Sequence, residues 1–535
     1  MKKIICVCLI FCLVFALSSC KATENKTHTD KTDSTTKTIS GKMRLLYSAS
    51  DTFNPYTATT DLNRKLCTLL FDSLTRLNNN FEAENLLAES VETKENTCTV
   101  KIKNATFTDG SPVTADDVVY SYNLAKNSET DYGYQLYEVV SVSAADSKTV
   151  IFNLSRYDRY FERLIDFPIL KSGSDTKVDV DGKSITPIGS GRYNLDLEKE
   201  KLTANKSHIN GSLNIKEISL VNAPDGEAIS HYVEIGATDL YYTDIPDANI
   251  IRMSGKKSTI NLGNMVYIGI NQSYGQLSSP ILRHAISSAI NRNDICKDAY
   301  YNNAVAATGF YNAAVKELQS VQNLQTDALP QISIENLEEI GYNNLDSEGI
   351  RVNSSGNRLS FTLMVNRENP TRTAAAKLIA EQLLSVGIKI TVLEYTFEQY
   401  TEALNSGGFQ LYLGEIKTLA NGDLSALTTE GGSCAFGVVE TKDASLPETQ
   451  IETAEVQESQ DKKDVLMSEI FDGFFSASTA ITDVAVALQT RLPVIPVCFG
   501  QGLLFQSNNL DNTGESSQSD IYLSIGGYTL KDPKK

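Results

Sequence analysis

The residue types most often used in catalysis are sparse in this chain and carry no recognised spacing. None of the common catalytic motifs occurs, neither the phosphate-binding G-x-x-x-x-G-K-[ST], nor H-E-x-x-H, nor the nucleophile elbow G-x-S-x-G. Gly189 and Gly191 flank Ser190 but lack the third glycine of a dinucleotide-binding loop. The four histidines are too few for a His-rich metal centre. These patterns favour binding over catalysis, and we expect no enzyme activity, no cofactor and no metal site.

Composition narrows the classes of ligand and partner. The 535 residues carry 48 Lys and Arg against 66 Asp and Glu, a formal net charge of −18. A surface this acidic argues against nucleic acid, whose phosphates require a basic footprint. The chain has 24 Tyr and 19 Phe but no Trp, so any aromatic ligand platform must be Tyr or Phe.

The N-terminus has the order of a secretory signal. Lys2 and Lys3 precede an apolar run at 4–17, which is shorter than the ~20 residues that a membrane-spanning helix needs. The LSSC sequence at 17–20 resembles the bacterial lipobox, which predicts cleavage after residue 19 and acylation of the Cys20 thiol. The alternative is an ordinary signal peptide with an incidental cysteine. Residues 20–40 are rich in Thr, Lys and Asp and predict a flexible tether.

Five cysteines remain after the signal and Cys20 are set aside, and their odd number and wide spacing predict no disulfide framework. We expect buried small side chains, and the alternative is a single disulfide whose partners the spacing does not assign. They are Cys67, Cys98, Cys296, Cys434 and Cys498.

Helical and strand patterns alternate along the remainder of the chain, which predicts an α/β fold. The predicted strands lie at 43–48, 98–103, 149–154, 266–270, 388–395 and 494–499, and the predicted helices at 61–74, 115–125, from 280 onward and 374–386. Thr114 and Ser279 are expected to cap the helices that follow them, and Gly387 to end the last helix. Residues 441–464 are acidic and predict an exposed loop or the outer face of a helix.

Nine short segments, in order, resemble those of one protein family. They are FNP at 53–55, LFDSL at 70–74, LAES at 87–90, FTDGSPVTADDV at 107–118, PIGSGRY at 187–193, GATD at 236–239, YIGIN at 267–271, LRHAI at 282–286 and PVIP at 493–496. On these motifs the chain, over about residues 43–530, is similar to the extracytoplasmic solute-binding proteins, family 5, of ABC importers, a group that binds oligopeptides, dipeptides or nickel. The 107–118 segment carries the strongest resemblance, and its turn and helix cap give it a structural role.

The resemblance implies a periplasmic-binding-protein-like clamp of two lobes (type II, cluster C) with an extra subdomain in lobe I. Lobe I would hold residues 41–265 and 490–535, with the extra subdomain at 61–186, and lobe II would hold 272–489. The hinge would lie near 266–272 and 488–492. A solute would bind between the lobes and favour closure, since only the closed form contacts it from both sides.

The resemblance also directs attention to particular side chains. Peptide-binding relatives hold the peptide amino terminus with an aspartate in a late segment of lobe II, which corresponds here to 411–424, where the family Trp is absent. Tyr242 resembles a cleft tyrosine, and the stretch GGSCAF at 431–436 would let backbone approach a ligand. Ordinary packing is the alternative for Tyr242, and a solvated strand face is the alternative for Glu415 and Lys417. The ligand-binding residues expected on these grounds are Asn54, Tyr56, Tyr242, Asn271, Tyr412, Glu415, Lys417, Asp423, Cys434 and Phe436.

The function that the resemblance implies is capture of a peptide-like solute and its delivery to an ABC permease with its ATPase subunits. The protein would be a monomer held by its lipid on the outer face of the bacterial cell membrane. Two alternatives remain: a binder of another solute (a sugar, an opine or a chelated metal), and a peptide-sensing surface lipoprotein that is not coupled to transport.

Overall fold

The computed structural model describes residues 42–182, 184–244, 254–440, 465–512 and 514–531. The predicted signal at 1–19, the lipidation site Cys20, the tether at 20–40 and the acidic stretch at 441–464 lie outside the described residues. No helix in the described ranges is long and apolar enough to cross a membrane.

The elements follow one another in an α/β order. From the start of the described chain they are β1 (Met43–Tyr47), α1 (Asp61–Leu70), β2 (Thr75–Leu77), β3 (Ala83–Asn85), β4 (Ala88–Lys94), β5 (Thr97–Ile102), α2 (Ala115–Lys126), α3 (Asp131–Gln135), β6 (Val139–Asp146), β7 (Thr149–Leu154), β8 (Tyr193–Asp196), β9 (Lys201–Ala204), β10 (Glu217–Asn222), α4 (Gly226–Glu234) and β11 (Leu240–Thr243). They continue with β12 (Gly255–Ile270), α5 (Pro280–Ala289), α6 (Arg292–Asp298), β13 (Ala304–Ala306), α7 (Pro330–Glu339), β14 (Asn344–Leu345), β15 (Arg351–Val352), β16 (Ser360–Asn366), α8 (Pro370–Ser385), β17 (Lys389–Tyr395), α9 (Phe397–Ser406), β18 (Leu411–Lys417), α10 (Ser425–Thr428), α11 (Met467–Phe475), α12 (Ile481–Arg491), β19 (Ile495–Ser507), β20 (Leu510–Asp511) and β21 (Thr529–Leu530).

Three sheets of four or more strands organise most of these elements, and the pairs β2-β3, β14-β15 and β20-β21 form three two-stranded sheets. One has the order β1-β10-β9-β8, and a second, wholly antiparallel, has the order β4-β5-β7-β6. The third has seven strands in the order β11-β19-β12-β18-β16-β17, with β13 paired to β19. All predicted strands are present, several with shifted ends.

Helix α1 shows how tertiary contacts set an element's bounds. The Thr60 side chain accepts a hydrogen bond from the backbone N–H of Asn63 and so caps the first turn. The helix ends at Leu70, four residues before the predicted end at 74. The prediction of helix over 71–74 was wrong because these residues run extended, and the Asp72 carbonyl accepts a hydrogen bond of 2.8 Å from the Ile169 N–H.

The motif at 107–118 builds a turn and a helix start, as predicted. Gly110 has a φ of +85°, a conformation that favours glycine. One carboxylate oxygen of Asp117 accepts from the Thr114 N–H at 2.9 Å, and the other accepts from the Ser172 N–H at 2.9 Å. Val118 is fully buried. Asp117 thus holds the start of α2 against the loop at 172.

The apolar side chains form separate cores, and the strands β12 and β19 pass from one core to the other. Ile260 and Leu262 of the β12 segment pack with the core that residues 43–220 and 504–528 form, which we call the first core. From Met265 onward β12 packs into the second core, formed by residues 265–499. Residues 492–499, which the sequence analysis assigned to lobe I, also belong to the second core.

The second core has two layers because alternate strand residues face opposite sides of a sheet. Val266, Ile268 and Ile270 face helices α5 to α8, whereas Met265 and Tyr267 face α9, α11 and α12. The pairing of β12 with β19 shifts register between Asn261 and Met265, at the change of core. Both long strands are therefore irregular where they pass from one core to the other.

Candidate functional site

The first and second cores meet along a polar interface centred on Asp423. The Asp423 carboxylate is 1% exposed and accepts a hydrogen bond of 2.7 Å from the Arg156 guanidinium. The Tyr137 hydroxyl donates to the same oxygen. The Arg156 guanidinium carbon lies 3.4 Å from the centroid of the Phe475 ring. Arg156 and Tyr137 belong to the first part of the chain, so Asp423 joins the two parts through a buried ion pair.

Further contacts cross the same interface. The Asn421 side-chain amide donates to Asp158 at 2.7 Å. Arg163 lies 3.2 Å from the Glu317 carboxylate and donates to the Ala420 carbonyl at 3.4 Å. These contacts place the loop after β18 against the segment that follows β7.

A cavity of about 310 Å³ lies beside α1, α4 and β11. Its size falls at the lower end of the range for small-molecule sites, ~300–1,000 Å³. Its walls combine apolar, aromatic and charged side chains: Leu46, Leu62, Ile229, Leu240, Ile521, Tyr241, Tyr242, Tyr522, Asp61, Lys65, Asp225 and Asp244. This combination suits a small polar solute, or one end of a longer solute.

Lys65 and Asp244 give the cavity its electrostatic character. The Lys65 ammonium lies 4.7 Å from the centroid of the Tyr242 ring, a cation–π arrangement. Loss of hydration lowers the pKa of Lys65, and Asp244 acts in the opposite direction. Loss of hydration raises the pKa of Asp244, and Lys65 acts in the opposite direction. The Lys65 ammonium is partly buried and poorly solvated, so an oppositely charged partner would stabilise it.

Of the ten predicted site residues, Tyr242 lines the cavity and the other nine do not. Tyr56 is buried, and its hydroxyl donates to the Pro168 carbonyl. The Asn54 side chain accepts from the Tyr56 N–H at 3.0 Å within a turn. The Asn271 amide donates to the Phe409 carbonyl at 2.9 Å. These three side chains serve local structure.

The predicted charged residues of the 411–424 segment already have partners. Glu415 accepts from the Asn264 side chain at 3.0 Å and lies 3.6 Å from Arg372. Lys417 lies 2.6 Å from Asp131. Asp423 is paired as well, with Arg156. A ligand could therefore bind any of these three charged side chains only by displacing its present partner.

Two of the predicted aromatic residues, Tyr412 and Phe436, belong to one packed cluster. Tyr412 is 1% exposed and meets the rings of Tyr267, Tyr400, Phe409 and Phe436 edge to face, with centroids 5.1–6.4 Å apart. Cys434 is half-buried beside the same cluster. Ordinary packing, the alternative that the sequence analysis kept for Tyr242, also describes Tyr412, and Tyr242 itself packs against the first core.

Sequence reasoning missed Lys65, Asp244 and Arg156. Asp244 follows Tyr242 by two residues and could have been found as a carboxylate beside the predicted cleft tyrosine. Lys65 lies within the predicted amphipathic helix, where a lysine usually indicates the solvent-exposed face of the helix. Arg156 carried no local signal, because its partner is 267 residues away.

The class of protein follows from the fold and from comparison with known proteins. Residues 82–431, more than half of the chain, match the model of the bacterial extracellular solute-binding proteins, family 5. The chain belongs to this family, and it is an extracytoplasmic solute-binding protein.

Two curated relatives are similar to the chain at the level of sequence. The oligopeptide-binding protein AppA of Bacillus subtilis is 24% identical over 379 residues, which cover 66% of this chain and 68% of AppA. The glutathione-binding protein GsiB of Escherichia coli (strain K12) is 24% identical over 357 residues, which cover 64% of this chain and 67% of GsiB.

Solved structures confirm the predicted two-lobed clamp. The ABC transporter substrate-binding protein CtaP from Listeria monocytogenes has a TM-score of 0.66 at 18% identity, covering 92% of this chain and 99% of CtaP. The nickel ABC transporter protein from Bacillus halodurans has a TM-score of 0.71 at 16% identity, covering 92% of this chain and 100% of that chain. We call the parts around the first and second cores lobe I and lobe II.

Proposed function

We propose that this protein is the substrate-binding lipoprotein of an ABC importer and that its solute is a peptide or a peptide-like molecule. The observation that carries the proposal is the family match over residues 82–431. Two curated relatives named for their ligands, an oligopeptide and glutathione, support the ligand class. Its partners would be a permease and the ATPase that drives it, because this chain has no nucleotide-binding motif.

Attachment to the membrane would use the predicted lipid on Cys20, with residues 20–40 as a tether. At ~5–6 Å × √n, such a tether has a typical reach of roughly 25 Å. The solute would thus be captured close to the permease without immersing the lobes in the membrane.

Capture of a solute would bend the protein at a hinge, where the long strands β12 and β19 cross from one lobe to the other. Both crossings coincide with the change of core, between Leu262 and Met265 and between Phe499 and Leu504. These positions lie several residues from the predicted hinge at 266–272 and 488–492. A register irregularity at 261–265 supports bending there, because backbone that is not evenly paired absorbs torsion changes more easily.

Native mass spectrometry tests the proposal. Residues 40–535 form one compact unit and would be purified without refolding, then titrated with a pool of di- to hexapeptides. We expect adducts of peptide mass that weaken on Tyr242→Ala but persist on Tyr274→Ala, an exposed tyrosine outside the cavity lining. A co-purified mass that is not a peptide, with no peptide adduct, would reject the peptide class in favour of another solute.

A further inference from the structure

Two cysteines that are far apart in the sequence lie in one apolar cluster of lobe II. Cys296 belongs to α6 and Cys498 to β19, and both are buried in the layer of the second core that faces α5 to α8. Both are free thiols in this structure. Cys67 and Cys98 belong to the first core, and Cys434 packs in the other layer of the second core. Of the cysteines in the described ranges, Cys296 and Cys498 are thus the two that share an apolar cluster.

The way in which α6 crosses β19 brings these two side chains together. The Arg292 Nε–H donates to the Pro496 carbonyl at 2.9 Å and so anchors the start of α6 on β19. Cys296 follows Arg292 by four residues and therefore lies one turn further along the same helix face. Cys498 lies opposite Val266, whose side chain faces α5 to α8, and residues opposite each other in paired strands point to the same side of the sheet. Both thiols therefore point into the contact between α6 and β19.

The electrostatics of the cluster indicate direct contact between the thiols. The pKa of the Cys498 thiol lies well above its usual value, first because the thiol is buried and then because it hydrogen-bonds with the Cys296 side chain. Burial lowers the pKa of Arg292 to about 10, and Cys498 and Cys296 both act in the opposite direction. The two sulfur atoms thus lie beside each other and beside the same guanidinium group.

The location of the protein makes such a contact chemically important. The family to which the chain belongs is extracytoplasmic, and outside the cytoplasm neighbouring thiols are not kept reduced by glutathione and thioredoxin. Cys296 and Cys498 are 202 residues apart, so their spacing in the sequence carries no sign of pairing.

We propose that Cys296 and Cys498 form a disulfide that links α6 to β19. The two S–H bonds break and one S–S bond forms, and the two protons and two electrons released reduce one external disulfide to two thiols. The external disulfide is that of an exported thiol oxidase or of oxidised glutathione. Because Cys498 is fully buried in the folded protein, the exchange takes place while the exported chain folds, before the core closes over the thiols.

The position of this bond gives it a role beside the hinge. Cys498 directly precedes Phe499, after which β19 passes from the second core to the first. The disulfide would fix the lobe II end of that crossing to α6, so that the lobes move about a firmly held strand. It would also close a long loop and thereby restrict the unfolded chain. The inference goes beyond the proposed function and does not depend on which solute binds.

Counting thiols tests the proposal. Residues 40–535 would be exported into the periplasm of an expression host, denatured in N-ethylmaleimide and weighed by mass spectrometry. We expect three labels, on Cys67, Cys98 and Cys434, and five labels after reduction. Peptide mapping should find one linked pair of peptides that contains Cys296 and Cys498. The same protein produced in the cytoplasm should carry five labels without reduction.

Two results of this experiment would overturn the proposal. One is five labels on the exported protein without reduction, also after refolding in the presence of oxidised glutathione. The other is a linkage that involves any cysteine besides Cys296 and Cys498. Neither result would affect the proposed function, because peptide binding is measured separately.

Thermal unfolding with and without a reductant provides the second measurement. The reductant should lower the melting temperature of the exported protein by roughly 4–8 °C. Cys296→Ala and Cys498→Ala should each carry four labels and melt at a temperature that the reductant does not change. Cys98→Ala is the matched control, because it removes a buried thiol of lobe I. It should carry two labels and keep its sensitivity to the reductant, and the same sensitivity in Cys296→Ala would contradict the assigned pair.

Discussion

At the residue scale, Asp158 is a buried carboxylate whose ionisation is opposed by its surroundings. The side chain accepts from the Tyr160 N–H at 2.8 Å and from the Asn421 amide at 2.7 Å. Burial nonetheless raises its pKa from 3.8 to about 6, with Asp423 acting in the same direction and Arg156 against it. The folded protein therefore keeps a proton on Asp158 at a pH where the unfolded chain has released it.

This shift predicts a stability that falls as the pH rises from about 4 to about 6, because the folded state binds more protons over that interval. At about 1.4 kcal/mol for each pKa unit, Asp158 lowers the free energy of unfolding at pH 7 by about 2–3 kcal/mol. Asp158→Asn should remove most of this loss, since an amide has no proton to release and Asn421 can turn to accept its N–H. Urea unfolding at pH 4.5 and pH 7 measures the difference.

Glu381→Gln, on an exposed face of α8, provides the control for a carboxylate in water. Its effect on the free energy of unfolding should be the same at both pH values. If Asp158→Asn behaved in the same way, Asp158 would be ionising like a solvated side chain and the assigned shift would be wrong.

At the scale of elements, the glycines of the 187–193 motif fix how β8 approaches the end of α1. A Cβ atom at position 191 would lie 2.3 Å from the Leu70 carbonyl carbon, and one at position 189 would lie 2.1 Å from the Leu70 carbonyl oxygen. The obstacle is backbone, which cannot turn aside as a flexible side chain can. This close approach explains in physical terms why the motif contains glycine at both positions.

Gly191→Ala should accordingly destabilise lobe I by about 1–3 kcal/mol or more, the cost of overpacking where the neighbour cannot relax. The midpoint of chemical denaturation is the measurement. Gly527→Ala is the matched control, because a Cβ atom there would meet no other atom within 4 Å and the φ of Gly527 is not in the left-handed region. Equal midpoints for the two variants would contradict the close packing of α1 against the 187–193 turn.

Local chemistry made several elements predictable, and tertiary contacts decided where others ended. Gly387 ends α8 with a φ of +85°, and β17 follows it in parallel with β16, as the helix–glycine–strand pattern predicts. By contrast, the 71–74 segment has helical spacing yet runs extended, because its backbone bonds to the 168–169 region almost a hundred residues away. A sequence pattern reveals a helix end set by a neighbouring glycine. It does not reveal a backbone hydrogen bond to a segment far away in the chain.

At the scale of the whole molecule, the Asp423–Arg156 pair stabilises the contact between the two lobes. Breaking a buried ion pair by removing one partner typically costs about 3–5 kcal/mol, and opening would let Asp423 regain water. Arg156→Gln should therefore shift the equilibrium by about a hundredfold or more toward forms in which this contact between the lobes is broken. Small-angle X-ray scattering of the unliganded protein should report a larger radius of gyration.

Arg358→Gln serves as the control, because Arg358 pairs with Asp346 and Glu348 within lobe II at an exposed position. It should leave the scattering curve unchanged. An unchanged curve for Arg156→Gln as well would mean that the remaining contacts across the interface, such as Asn421 with Asp158, hold the lobes together without the ion pair.

The sequence by itself determined the family, the α/β order of the elements and the two-lobed class of the fold. These properties rest on short-range features that a linear pattern carries, namely caps, turns, hydrophobic periodicity and nine motifs in order. Only the tertiary structure decided which charged side chains are engaged and which are open to a solute. Glu415, Lys417 and Asp423 stand out in sequence but are neutralised by Arg372, Asp131 and Arg156, whereas Lys65 and Asp244 meet at one cavity from segments 179 residues apart. Pairing of charges depends on distance in space, which residue order does not record.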